Sequence, residues 1–427
     1  MALTATPADF AAAARDRGRA FVSARRGTLL DRMIWFWIFL GGVIIVEPSP
    51  YEFMFALVLP VAVFGGMKIY RTTAGLFILT AIFTPFAVIA AFQPTYTPVA
   101  TALVYEAVTV FLLLTAFVLA NYVAEAPQQR MRRIMQAYTL MAVFSAVIGT
   151  AGYLHLIPGA YDLLTRYGRA KALFLDPNVY GPFLILPAAY AAQRLLLGGR
   201  RGLVRNGLIV LVLLVGVFVS FSRAAWASLA AAMLFVFLLD FLLEADGRRK
   251  VRMLILALLG AGMVVVALGS LLSIPSVNSL FDQRAKVTES YDSGATGRFG
   301  RQGYAFGLAL EHPWGIGPGQ FAHLRVKEEP HDTYVTVLHV YGWGGGFCLY
   351  FLLLLTLGRA IRGLVPRTAN RRLLIPLFAT FVPLVVEAGI IDIDHWRHLF
   401  LIIGLIWGVT SGYRRLAPTE TRDTALV

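Results

Sequence analysis

"NGLIVLVLLVGVFVSFSRAAWASLAAAMLFVFLLD", residues 206–240, carries a single charge between its ends, Arg223. As one α-helix this run would be about 50 Å long, at about 1.5 Å per residue. A bilayer's hydrocarbon core is only about 30 Å thick. The run is therefore read as two helices that turn near "SFSR". That puts Arg223 at a membrane edge, where a guanidinium can stay solvated.

The rest of the chain is of the same kind. Of 427 residues 58% are hydrophobic and 15% charged, against about 25% charged in soluble domains. Mean hydropathy is +0.69. A spanning helix needs about 20 apolar residues. Such segments recur near 30–46, 51–67, 72–92, 99–122, 134–154, 173–197, 203–221, 224–243, 251–272, 334–358, 372–391 and 397–413. The expected fold is thus an all-α polytopic membrane protein of about twelve transmembrane helices. Its parts are a basic segment 1–28, helices over 29–272, a large loop 273–333 carrying short helices, helices over 334–413, and a tail 414–427. No small-residue cleavage site follows a short hydrophobic core near the start, so a cleaved signal peptide is not expected.

Charge orients the spans. With twelve crossings, 27 of the 38 lysines and arginines fall on one side, including "RMRR", "RRGLVR" and "GRRKVR". By the positive-inside tendency that side is cytoplasmic, with both termini. The same asymmetry accounts for most of the +14 net charge, so no nucleic-acid partner is implied. The single cysteine, Cys348, offers neither a disulfide framework nor a zinc spacing.

The outer side holds one long loop, and long loops without regular structure are often functional. Within it "RQGYAFGLALEHP" reads as a helix ending before Pro313, and "GIGPGQF" as a turn-rich loop. Arg298 and Arg301 are three apart and share a helical face. His331 lies where the loop enters the next span, followed by Asp332, and His339 comes two turns later. Arginine holds phosphate bidentately and stays charged at ordinary pH. Histidine can take a proton from a hydroxyl near neutrality. Arg223, Arg298 and Arg301 around His331 make a set suited to group transfer from a phosphate leaving group. The simpler alternatives are arginines snorkelling to lipid phosphates and Asp332 serving as a helix cap. "FLDPNVYG" is either a broken helix start presenting Asn178 or an ordinary cap at Asp176 with Pro177 in the first turn. His395 and His398, in "DIDHWRH", either line the same cavity or serve at the membrane interface, the simpler reading.

Four stretches together resemble the O-antigen ligase and polymerase superfamily. They are "DPNVYG", "SFSRAAWASLAAAMLFVFL", "TGRFGRQGYAFGLALEHPWGIGPGQF" and "HDTYVTVLHVYGWGGGFCLYFLLL", in the family's order over roughly 176–355. The resemblance implies a metal-independent, inverting glycosyltransferase of the bacterial inner membrane, active on the periplasmic face and needing no cofactor. The donor would be a glycan on undecaprenyl diphosphate. The acceptor would be a sugar hydroxyl, on lipid A–core for a ligase or on a second lipid-linked glycan for a polymerase. His331 would be the base and Arg223 and Arg298 the diphosphate grip, with Arg301 assisting. Asp332, Asn178 and His339 would be accessory. Two features depart from the family pattern: Asp332 where Asn or Ser is usual, and the run Gly344–Gly346. A ligase is the expectation. A transporter of lipid-linked sugars is the rival from another class, and it would use the intramembrane carboxylates Glu106 or Glu387.

Overall fold

The computed structural model describes residues 28–285, 294, 296–324 and 327–411. The basic stretch before residue 28, the tail after 411 and part of the long loop lie outside the described residues. The architecture is helical, apart from a two-residue-per-strand hairpin (β1, Thr165–Arg166; β2, Arg169–Ala170).

Every expected span is a helix: α1 (28–40), α2 (Pro50–Phe64), α3 (Ala74–Ala91), α4 (Val99–Glu125), α5 (Pro127–Tyr153), α7 (Pro177–Phe183) with α8 (Ile185–Leu197), α9 (Leu203–Val219), α10 (Arg223–Leu243), α11 (Gly247–Leu272), α14 (Thr333–Leu364), α15 (Arg371–Glu387) and α16 (Arg397–Ser411). A one-turn α6 (Tyr161–Leu164) precedes the hairpin, and α12 (Pro275–Arg284) and α13 (Arg298–Glu311) lie in the long loop. Among the described residues, seven helices are long and apolar enough to cross a membrane, and α2 and α16 are shorter apolar helices. On α11 only Met253 is buried, so this apolar helix presents nearly its whole circumference outward.

The turn at "SFSR" is where the length argument puts it. Phe221 takes a left-handed backbone (φ 47°) and Ser222 caps α10. The sixth expected span is interrupted at Leu184. Pro187 has no N–H to give the carbonyl of Phe183. Tyr138 Oη donates to that carbonyl instead, at 2.8 Å.

The central contact is between α4 and α16. From His398 to Val409 every residue of α16 is buried. A Cβ on Gly404 would stand 2.7 Å from the Ala116 carbonyl, and one on Gly408 would stand 2.6 Å from Val123 Cβ. Two glycines four apart thus let α16 lie backbone-close on α4, as small residues do in membrane bundles.

The ends of the bundle differ. At one end Arg371 and Arg372 bond Glu244 at 2.5 and 2.6 Å, Arg359 reaches the Thr72 carbonyl, and Lys68 faces Glu125. The loops expected to be cytoplasmic therefore gather there. The loops after α1, α3 and α15 meet the long loop at the opposite end.

α14 breaks at Gly342 (φ 71°, ψ 177°). The broken backbone pairs with the glycine loop after α13. Ile316 N–H donates to the His339 carbonyl at 2.7 Å, and Trp343 N–H to the Pro313 carbonyl at 2.9 Å. A Cβ on Gly342 would lie 2.5 Å from the Pro313 carbonyl oxygen, in a conformation costly to any other residue. Gly342→Ala should therefore cost about 2–5 kcal/mol. Gly303→Ala, in α13 with open space around it, should gain about 0.5–1 kcal/mol. Thermal unfolding of the two variants in detergent checks the contrast.

Candidate active site

His331 sits just before α14 in the left-handed region, at φ 56°. This conformation costs a non-glycine residue about 1 kcal/mol or more. The surroundings hold it. Thr333 N–H donates to the Ala388 carbonyl at 2.8 Å, and Thr333 Oγ1 donates to the Ile391 carbonyl at 2.9 Å and accepts from Ile393 N–H at 2.7 Å. Gln302 of α13 donates to the His331 carbonyl at 3.3 Å. The start of α14 is thereby stapled to the turn after α15.

That turn carries Asp392. Its Oδ2 lies 3.2 Å from His331 Nδ1, and its Oδ1 accepts from Thr336 Oγ1 at 2.8 Å. A carboxylate on Nδ1 fixes the imidazole's orientation and leaves Nε2 for a substrate hydroxyl. Asp332 serves the helix instead. Its Oδ1 accepts from the Tyr334 and Val335 N–H groups and caps α14.

Asp392 also lines a cavity of about 440 Å³ at the ends of α4 and α16. Glu47, Tyr105, Glu329, Asp394 and Trp396 share its wall. Burial pushes the Glu329 carboxyl up to about 7, and the nearby Asp392 carboxylate adds to the rise. Burial would raise the Asp394 carboxyl too, but His395, 3.3 Å away, outweighs this and holds it below the usual range. Burial disfavours charge on His395, and the Asp394 carboxylate overrides it, so the His395 value is raised. His395 Nε2 meets Thr109 Oγ1 at 2.9 Å and its ring stands edge-on to Tyr105. His395 and His398 are therefore cavity residues, and the interface reading of them is corrected.

The remaining predicted residues fall around this centre. Arg223 is the first residue of α10, half-buried. Five residues on, Ser228 Oγ donates to Glu387 Oε2 at 2.7 Å near the end of α15. Arg223 thus stands about 7–8 Å further along the same axis, at the end of the bundle that holds Asp392. Arg298 opens α13, half-buried, and Arg301 is buried with its guanidinium bonded to Glu328. Among the described residues, the cavity lining includes none of these three arginines. Asn178 accepts from Arg169 at 2.6 Å, and Arg169 also bonds the Ser220 carbonyl at 2.8 Å, so Asn178 braces the turn ahead of Arg223. Asp176 caps α7 with Pro177 in its first turn, the ordinary-cap reading. His339 is buried, bonding the Val335 carbonyl at 3.0 Å, away from the cavity wall.

Residues 208–350 match the family model described as O-antigen ligase. That stretch is similar to the O-antigen ligase family over about a third of the chain. No curated protein sequence matches the chain. The O-antigen ligase match, together with the apolar helices, makes this a membrane protein. The matched stretch contains Arg223, Arg298, Arg301 and His331. Asp392 and most of the cavity wall lie outside it, on α4, on the segment entering α16, and on the loops after α1 and before α7.

Glu329 and Asp392 were not among the residues expected from sequence. The pair "EE" before Pro330 and the acidic "DID" were the available signals, but neither says which carboxylate faces His331. Glu329 has a test of its own. The folded chain holds its proton where the unfolded chain has released it, so stability falls as pH rises from about 4.5 to about 7. Glu329→Gln should be close to neutral at about pH 5 and stabilising above about pH 7, by at most about 3 kcal/mol. Melting of both proteins across that range checks the sign.

Proposed function

We propose that the protein transfers a glycan from undecaprenyl diphosphate to a sugar hydroxyl at the periplasmic face of the bacterial inner membrane, with both termini cytoplasmic. The observation that carries this is the His331–Asp392 pair at the edge of a cavity, in a chain similar over residues 208–350 to the O-antigen ligase family. His331 Nε2 takes the proton of the acceptor hydroxyl as its oxygen forms the new bond to the anomeric carbon. The carbon–oxygen bond to the diphosphate breaks, and the electron pair leaves with the carrier. Attack opposite the leaving group inverts the anomeric centre. Arg223 and Arg298 hold the developing charge on the diphosphate, which fixed guanidiniums stabilise without reorganising. Arg301, through Glu328, holds the segment that runs into His331. No metal is required in this scheme.

A ligase acting on lipid A–core is the preferred form, and a polymerase extending a second lipid-linked glycan is the alternative. One observation favours the rival transporter: both carboxylate oxygens of buried Glu106 are without a hydrogen-bond partner among the described residues.

The test is a reconstituted assay with an undecaprenyl-diphosphate-linked glycan, offered lipid A–core or further donor. His331→Ala and Arg223→Ala should abolish product, and Asp392→Asn should lower turnover about 10²–10⁴-fold with little change in KM. A chelator should leave the rate unchanged. Product on lipid A–core marks a ligase, and lengthened chains from donor alone mark a polymerase. Full activity in His331→Ala, or transport lost in Glu106→Gln with no transfer by any variant, would overturn the proposal.

A further inference from the structure

The cavity differs in charge from the surface that a diphosphate needs. Four acidic side chains line it, those of Glu47, Glu329, Asp392 and Asp394; Asp394 is paired with His395, and Glu329 adds its charge only above about pH 7. The one guanidinium in the wall, Arg397, is already engaged by Glu52 at 2.5 Å and Glu47 at 3.2 Å. A phosphate or carboxylate entering here would meet like charge in a half-buried site, where repulsion is stronger than in water.

Other features of the wall suit a sugar. Its volume of about 440 Å³ lies within the range of small-molecule sites, about 300–1,000 Å³. Trp396 and Phe174 supply apolar faces for the C–H side of a pyranose ring. Carboxylates accept hydrogen bonds from neighbouring hydroxyls. His398 is 5% exposed, lines the cavity, and its Nε2 has no hydrogen-bond partner among the described residues. A buried polar atom of this kind is costly unless a ligand satisfies it.

We infer that this cavity is the acceptor subsite and that it selects a sugar residue bearing no anionic group, uncharged or carrying an amine. The inference rests on the transfer reading above and adds the class of acceptor. The donor's diphosphate stays on the α10 and α13 arginines, outside the cavity. The acceptor ring enters the acidic pocket beside Asp392 and presents a hydroxyl toward His331 Nε2.

The experiment is ligand-observed NMR on the full chain in detergent at about pH 8, where Glu329 is ionised, with three glycosides that differ at one substituent and in charge: methyl β-glucoside, methyl β-glucosaminide and methyl β-glucuronide. The first two should bind at least about tenfold more tightly than the glucuronide. Glu329→Gln should narrow that gap to about threefold. Trp396→Ala and His398→Gln should weaken all three. Gly303→Ala, away from the cavity wall and with open space around it, should bind the series as the wild type does. The wild-type ordering needs no variant to fold. A glucuronide that binds as well as the glucoside, no binding by any glycoside, or an ordering untouched by the Glu329, Trp396 and His398 substitutions would each overturn the inference. Ordered binding without transfer from any donor would instead sink the transfer reading and leave a sugar site. Transfer to anionic and neutral acceptors alike would sink the subsite alone.

Discussion

The backbone-close contact of α4 with α16 is the constraint on which the rest of the molecule depends. Gly404 and Gly408 permit it, and almost the whole of α16 is buried as a result. The cavity is what remains where this contact opens at the end of the bundle opposite the basic loops. Ala102 and Tyr105 on α4 form one side, and the segment from Asp394 to His398 entering α16 forms the other. Any side chain on those glycines would push the two helices apart and change the cavity's width before touching a single polar group.

A second contact fixes where the histidine stands. α14 breaks at Gly342, and the glycine loop after α13 supplies partners for the freed carbonyls of His339 and Val340. Backbone that is not helical is tolerated at membrane depth only when protein satisfies it. This docking ties the long loop to the bundle beside the segment that leads into His331. The staple of Thr333 to the turn after α15 then brings Asp392 to the imidazole. Catalytic geometry and loop geometry are therefore one construction.

Electrostatics divides the cavity's end of the bundle into two zones. Arg223 and Arg298 stand at the starts of α10 and α13, whereas the cavity wall holds four acidic side chains and Arg397. Under the proposed transfer, the opposite charge requirements of the leaving group and the incoming sugar would be met by separating them in space. His331 and Asp392 stand at the boundary.

Much of this was legible in the chain itself. The turn at "SFSR" follows from comparing helix length with bilayer thickness, which needs no tertiary information. The cap at Asp176, with Pro177 in the first turn, and the end of α13 before Pro313 are likewise local effects of proline and a short carboxylate side chain. The grouping of the basic loops follows from charge counting, and the described ones do gather at one end. The interruption at Leu184, the break at Gly342 and the His331–Asp392 pair were not legible. His331 and Asp392 are 61 positions apart, and no periodicity links residues in separate loops. The sequence alone determined which segments are helices, because apolar length and local backbone chemistry act within each segment. Only the tertiary structure decided which carboxylate meets the histidine, because that depends on how closely helices far apart in the chain can approach.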